Sequence, residues 1–330
     1  MDQPVISNSQ TCPEISIVAP CFNEQAGLAE FVQRMTKAAQ TTVGEGYELL
    51  LVNDGSTDNT WSAIRAIAHT HPCIVGVNLS RNHGHQLAVS AGLSLARGKA
   101  VLIIDADLQD PPELLPKMLA RLNEGFDVVY GRRKTRARES AFKLLTAKYF
   151  YKFLRLLSDV DIPTDTGDFR LMSRRITNRL IAMPEHDRFL RGMVAWLGGR
   201  QTELLYDREP RFAGTTGYTL SKMLRLAANG VVGFSTKPLR MSILMAVMGM
   251  LIGAGVVLYA VSGYVLGDVA PGWTSQALIT VFFGVAQLGC LAIMGSYLGR
   301  TYMQVKARPI YLIDEITSCP EPHTSESEQS

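Results

Sequence analysis

Twenty-seven residues separate Arg240 from Asp268, thirty-one separate Asp268 from Arg300, and none of them is charged. Each run exceeds the ~20 apolar residues that a membrane-spanning helix needs. The pattern predicts a two-helix transmembrane hairpin within residues 236–308, with spans at about 241–264 and 276–299. Pro271-Gly272-Trp273 punctuates the turn, and Trp273 suits a membrane interface. Lys237 and Arg240 flank the first span, Arg300, Lys306 and Arg308 flank the second, and the short connection carries Asp268 without Lys or Arg. The positive-inside rule then puts both ends of the hairpin, and both chain termini, in the cytoplasm. Gly249 and Gly253 are spaced for close helix packing, within the hairpin or between protomers, and a homo-oligomer is expected.

Residues 1–240 hold nearly all the charge and read as an α/β region. A net charge of +3 gives no global attraction to nucleic acid, which is not an expected partner. Cys12, Cys21, Cys73, Cys290 and Cys319 are scattered with no CxxC pair, which fits a reducing compartment. The start, Met1-Asp-Gln-Pro, lacks the basic and apolar stretches of a cleavable signal peptide. Residues 1–13 read as a flexible leader and 309–330 as a disordered, Ser- and Glu-rich tail.

Between these ends, apolar runs at 15–19, 49–52, 74–79, 101–104 and 127–130 read as strands. Helical patterns follow at 25–42, 57–69, 86–96, 112–123 and 173–182, with Ser56 as N-cap and Asp58 in the first turn of the second. This alternation predicts a doubly wound, mostly parallel sheet, whose ligands bind beyond the carboxyl ends of the strands. Asn23, Glu24, Asp54, Arg81, Asp105 and Asp107 all fall at such ends. No GxGxxG follows the first strand and no GxxxxGK[ST] occurs, which argues against dinucleotide dehydrogenases and P-loop NTPases.

The most informative run is Val101-Leu-Ile-Ile-Asp105-Ala-Asp107-Leu-Gln109-Asp-Pro-Pro. In extended backbone, side chains two apart point the same way, so Asp105, Asp107 and Gln109 would converge just past a strand end. Three oxygens on a short arc suit Mg2+ or Mn2+ with phosphate oxygens as further ligands. The competing reading is a polar turn. His83 and His85 have only a weak HxH spacing; they read as surface-loop residues and receive no metal role.

Pro20-Cys-Phe-Asn23-Glu24, Val52-Asn-Asp54-Gly-Ser-Thr-Asp58, Ser80-Arg81-Asn82-His-Gly84-His-Gln86 and Asp105-Ala-Asp107-Leu-Gln109 resemble the polyprenyl-phosphate glycosyltransferases of glycosyltransferase family 2. Thr166-Gly-Asp168-Phe-Arg170-Leu and the two apolar segments extend the resemblance over about residues 14–308. It implies a GT-A catalytic domain over 14–235, a nucleotide-sugar donor, a divalent cation, a polyprenyl phosphate acceptor and inversion at the anomeric carbon. It also implies a bacterial inner-membrane enzyme. By the same resemblance Asp54 recognises base or ribose, Pro20, Asn23 and Glu24 form the nucleotide floor, and Arg81 touches the donor phosphates. Asp105, Asp107 and Gln109 hold metal and diphosphate. Asp168 is the base candidate, with Asp165 second. Helix capping for Asn23 and Glu24, and an Asx turn for Asp54, are the alternatives.

Arg132, Arg136, Arg138 and Arg170 are expected to grip the acceptor phosphate bidentately, Arg170 beside Asp168. Residues 140–157 place Lys148, Lys152 and Arg155 on one stripe behind a Phe- and Leu-rich face, and 217–229 repeat the pattern. Both fit helices lying in a membrane interface, or core helices. UDP-glucose is the favoured donor, with UDP-4-deoxy-4-formamido-L-arabinose and GDP-mannose as alternatives. A non-catalytic scaffold or lipid-carrier translocator is the reading from another class, and the lack of charge inside the spans argues against transport.

Overall fold

The computed structural model describes residues 12–134, 166–207, 237–266 and 272–318. The expected interfacial helices at 140–157 and 217–229 lie outside them, as do Arg136, Arg138 and Asp165. The described residues fall into two compact units, one holding 12–134, 166–207 and 309–318, the other 237–266 and 272–308.

The first unit is one eight-stranded sheet with helices packed on it. Strands β1 (Ile15–Cys21), β2 (Tyr47–Asn53) and β3 (Ile74–Leu79) are almost wholly buried, as central parallel strands covered on both faces must be. The others are β4 (Ala100–Ile103), β5 (Val128–Arg133), β6 (Thr166–Ser173), β7 (Gln201–Tyr206) and β8 (Ile313–Thr317). Their order is β7-β5-β6-β4-β1-β2-β3-β8. β1 runs parallel to β2 and β4, but β6 is antiparallel to both β4 and β5, and β8 is antiparallel to β3. The sheet is thus mostly parallel, as expected, with β6 and β8 running against the other six strands.

Helices α1 (Leu28–Val43), α2 (Thr60–Thr70), α3 (His85–Leu95), α4 (Leu115–Asn123), α5 (Arg174–Ala182) and α6 (Leu190–Leu197) complete this unit. On α1 the residues Leu28, Phe31, Val32 and Met35 are buried, the apolar face of a helix at i, i+3, i+4 and i+7 spacing. Ser56 does not cap α2: its Oγ accepts from the Asn23 N–H at 3.0 Å, and Asp58 Oδ1 accepts from the Thr60 N–H at 3.0 Å instead. The tail is a second correction. Residues 313–317 are a strand, because the exposed edge of β3 offers unpaired backbone groups that Ile313–Thr317 can satisfy.

The second unit contains α7 (Lys237–Leu266) and α8 (Trp273–Val305), packed on each other. Ser242–Tyr259 and Phe282–Val305 are long and apolar enough to cross a membrane. Large side chains such as Leu251, Leu258, Leu288 and Leu298 are exposed along them. Gly249 and Gly253 face the Phe283 ring, where an added Cβ would lie at an ordinary contact distance of 3.5 Å.

Candidate active site

The carboxyl ends of β1, β2 and β4 open into a cleft of about 290 Å3, lined by Pro20, Phe22, Glu24, Asp54, Asn82, Gly84, His85 and Asp105 to Asp107. Parallel strands end there together because their registers align, with Ala19 beside Leu51 and Val18 beside Ile103. Of the residues predicted for the nucleotide sugar, Pro20, Glu24, Asp54, Asp105 and Asp107 reach the cleft; Asn23 and Arg81 are not among those lining it.

Asn23 is spent on the scaffold. It adopts φ 57°, which Asn tolerates, and its Oδ1 accepts from the Thr57 N–H at 2.9 Å. This joins the loop after β1 to the loop after β2. Asp54 ties the second loop to a third. Its Oδ1 accepts from the His83 N–H at 2.7 Å and its Oδ2 from the Gly84 N–H at 3.0 Å, rather than forming an Asx turn with Gly55. Burial raises its pKa, while those two amides oppose the shift. Gly55 has φ 64°, and a Cβ there would lie 2.4 Å from the Asn82 nitrogen, so only glycine lets the two loops touch.

The Asp105–Gln109 segment is not extended, so the expected i, i+2, i+4 convergence does not form. β4 ends at Ile103 and the chain turns at Ala106 and Asp107. Leu108 then takes φ 60°, costly for a leucine, with its side chain anchored in the core. The turn lets Asp107 Oδ1 accept from the Gln109 N–H at 3.1 Å. The Gln109 side chain is not part of the cleft lining. Asp105 Oδ1 is buried and has no hydrogen-bond partner, and burial pushes the Asp105 pKa up to about 6, with nearby carboxylates adding and His85 opposing.

Among the described residues no three His, Cys, Asp or Glu side chains form a ready-made metal cage. Two carboxylates with one unsatisfied buried oxygen still fit a hard cation such as Mg2+, which is held by one or two carboxylates plus substrate phosphates.

Facing Asp105 is a cluster that the sequence did not reveal. Asp168 on β6 is buried, and both its oxygens are taken. Oδ1 accepts from Arg191 Nε at 2.8 Å. Oδ2 lies 3.1 Å from His85 Nε2 and accepts from Gln86 Nε2 at 3.0 Å and Arg191 Nη2 at 3.2 Å. Burial alone would raise the Asp168 pKa, but Arg191 and His85 outweigh it and hold the carboxyl well below its ordinary range. Burial likewise works against a charged His85, yet the bond to Asp168 and the charges of Asp105 and Asp168 lift its pKa to about 9. These neighbours favour a charged His85 between two carboxylates; it is partly exposed and opens α3 rather than lying within the loop.

Two of the expected phosphate-gripping arginines are committed elsewhere. Arg170 is buried, donating from Nη2 to the Gly167 carbonyl at 3.1 Å and from Nε to the Asp168 carbonyl at 3.3 Å. Arg170 shares the face of β6 with Asp168, two residues earlier, and its Nη2 lies 3.9 Å from Asp168 Oδ1, so it packs beneath that carboxylate. Burial lowers its pKa to about 10. Arg132 reaches both oxygens of Glu203 on β7, at 3.1 and 2.9 Å. Arg191, within α6, carried no motif signal; its role comes from a fold contact with a residue 23 positions earlier.

The family model for glycosyl transferase family 2 matches residues 16–181, which span the cleft and Asp168. The chain belongs to this family. It is a glycosyltransferase with the expected GT-A type of α/β sheet. An uncharacterised glycosyltransferase of Synechocystis sp. is 41% identical over 304 residues, covering 92% of this chain and 95% of the relative. The bactoprenol glucosyl transferase of Shigella phage SfX is 35% identical over 304 residues, covering 91% and 98%. A prophage bactoprenol glucosyl transferase homologue of Escherichia coli is 35% identical over 307 residues, covering 92% and 99%. Among solved structures, glucosyl-3-phosphoglycerate synthase of Mycobacterium tuberculosis aligns with a TM-score of 0.43 at 24% identity, covering 67% and 78%.

Proposed function

We propose that this glycosyltransferase moves a sugar from a nucleoside diphosphate, UDP-glucose first among the candidates, to undecaprenyl phosphate, with inversion. The observation that carries the reading is one chain holding both an acidic cleft at the ends of β1, β2 and β4 and two membrane-length apolar helices. A water-soluble acceptor would not require the second feature. Relatives named for bactoprenol glucosyl transfer match over nearly their whole length, hairpin included. The product would be a lipid-linked monosaccharide for the cell envelope, made on the cytoplasmic side of the inner membrane.

In this reading Phe22, Glu24 and Asp54 surround the nucleoside, and Asp105 and Asp107 would hold Mg2+ or Mn2+ at the diphosphate. The cation supplies Lewis-acid stabilisation of the charge that develops on the departing diphosphate. Asp105 and Asp107 also set the negative edge of the cleft, while His85 and Arg191 bring positive charge to the side of Asp168. An acceptor phosphate monoester has a second pKa of about 6 and is already mostly a dianion near neutral pH. What it needs is offset of like-charge repulsion, about 4 kcal/mol per unit pair at ~4 Å and an effective dielectric near 20. His85 and Arg191 are the described cations that contact Asp168 most closely, and Arg136 and Arg138 are further candidates from the sequence.

The test is donor consumption by detergent-solubilised full chain, with UDP-glucose, UDP-N-acetylhexosamines, UDP-formamidoarabinose and GDP-mannose, each with and without undecaprenyl phosphate. Lipid-dependent release of UDP from one donor is expected. Equal turnover without the lipid, or none with any donor, would overturn the reading.

A further inference from the structure

The stretch 311–317 is bound to the elements that carry the cleft's third loop, residues 80–85. The Tyr311 hydroxyl donates to Ser94 Oγ, in the last turn of α3, at 2.9 Å. The Leu312 carbonyl accepts from the Ser80 N–H at 3.0 Å, where the loop leaves β3. Just before that point the β3–β8 ladder slips between Asn78 and Leu79, and such an irregularity bends the strand and re-aims the residues beyond it. At Gly76 the approach is so close that a Cβ would lie 2.8 Å from Thr317 Cγ2. The loop leaving this clasp gives its His83 and Gly84 amides to Asp54 and its His85 to Asp168.

We infer that the C-terminal strand is part of the donor site: Tyr311 and the Leu312 carbonyl position residues 80–85 for nucleoside diphosphate binding. The identity of that ligand rests on the proposed function; the clasp itself does not. α3 follows Gly84, which has φ 96° and gives no side-chain cap, so the loop–helix junction relies on contacts from other elements, Asp54 and Asp168 on the cleft side among them. Fixing Ser80 at one end and Ser94 at the other adds to that hold. Edge pairing that only protects β3 from other chains is the plainer role. The two separate because a clasp acts on ligand affinity and loop exchange, whereas an edge cover acts on global stability.

The experiment compares wild type, Tyr311→Phe, Glu315→Pro and the control Arg65→Ala, each as full chain in detergent. Arg65 meets Glu315 at 3.6 Å on an exposed face away from the loop. UDP affinity by calorimetry, amide exchange over residues 81–85 and melting temperature are read together. Tyr311→Phe removes one hydrogen bond, so UDP should bind about 3- to 10-fold more weakly, with faster exchange over 81–85 and an almost unchanged melting temperature. Glu315→Pro should do more, since the ring breaks the ladder, and Arg65→Ala should do nothing. A Tyr311→Phe protein with wild-type UDP affinity and wild-type exchange overturns the inference, whatever its melting temperature. If wild type binds no UDP, the donor reading fails while the exchange arm still decides the clasp.

Discussion

His85 Nε2 lies 3.1 Å from Asp168 Oδ2, and the same nitrogen is 3.6 Å from Asp105 Oδ1. One imidazole therefore joins the start of α3 to the end of β4 and to β6. It offsets the repulsion between two neighbouring carboxylates.

This pairing has a pH signature. The folded His85 pKa is raised from 6.5 to about 9, so its stabilisation is complete below 6.5 and is lost as pH rises towards 9. Asp168 is shifted the other way, and its contribution is lost only on acidification below the ordinary carboxyl range. Between pH 6.5 and 9 the His85 change thus acts with Asp168 fully ionised. The His85 side chain is 39% exposed, so solvent screening reduces the effect to of order 1 kcal/mol. The metal-free wild type should lose about 2–4 °C of melting temperature over that window relative to His85→Gln. Parallel melting curves for the two proteins across it would remove the charged pair.

Removing the cation should abolish turnover. Chelator-treated enzyme should regain activity with Mg2+ or Mn2+, and Asp105→Asn should lose at least about 100-fold in kcat, since one negative ligand disappears where charge must be neutralised. Asp107→Ala should also lower the melting temperature, because Asp107 Oδ1 holds the Gln109 amide. Full activity in excess chelator would sink the metal assignment.

The strands and the acidic cleft were legible because β1, β2 and β4 are mainly apolar runs with polar residues just beyond their carboxyl ends. The geometry of the Asp105 turn was not, since nothing local announces that Leu108 will take a left-handed backbone. Arg170 misled for a related reason. A charged residue in sequence has no address, and here the Gly167 and Asp168 carbonyls take up the guanidinium. β8 was missed because Ile313-Asp-Glu-Ile-Thr offers little apolar signal; the edge of β3 recruits it.

Gly55 gives a sharp test of the loop contact. Gly55→Ala combines a left-handed φ with a Cβ 2.4 Å from the Asn82 nitrogen, and backbone on both sides leaves no flexible group to yield. It should cost at least about 1–3 kcal/mol of stability and weaken UDP binding more than tenfold. Gly84→Ala meets no atom within 4 Å and should be milder, limited to the strain of φ 96°. Calorimetric binding and melting of the two variants would show whether that order holds.

Arg170 and Arg191 should separate cleanly. Arg170→Ala strips donors from the buried Gly167 and Asp168 carbonyls, so it should cost about 1–3 kcal/mol in melting experiments. Arg191→Lys keeps a charge but loses the two-point grip on Asp168, so it should lower kcat with little change in stability or UDP affinity. A stable Arg170→Ala protein with a selectively raised acceptor KM would restore Arg170 to the acceptor site.

Asp168 is the group most open to a wrong role. A general base needs a free acceptor oxygen and a pKa near the working pH. Asp168 is poorly suited on both counts: Arg191 donates to both oxygens, His85 and Gln86 crowd Oδ2, and its pKa is held well below the ordinary range. On the proposed function its work would be to fix His85 and Arg191, with the acceptor phosphate losing its second proton to solvent. Asp168→Asn should keep measurable turnover, lowered about 10- to 100-fold because the amide must turn one N–H towards a donor. The residual rate should rise with pH through the acceptor's second pKa of about 6 and then level off. A rate below detection at every pH, in a protein that still binds UDP and acceptor, would make the carboxylate an obligatory base.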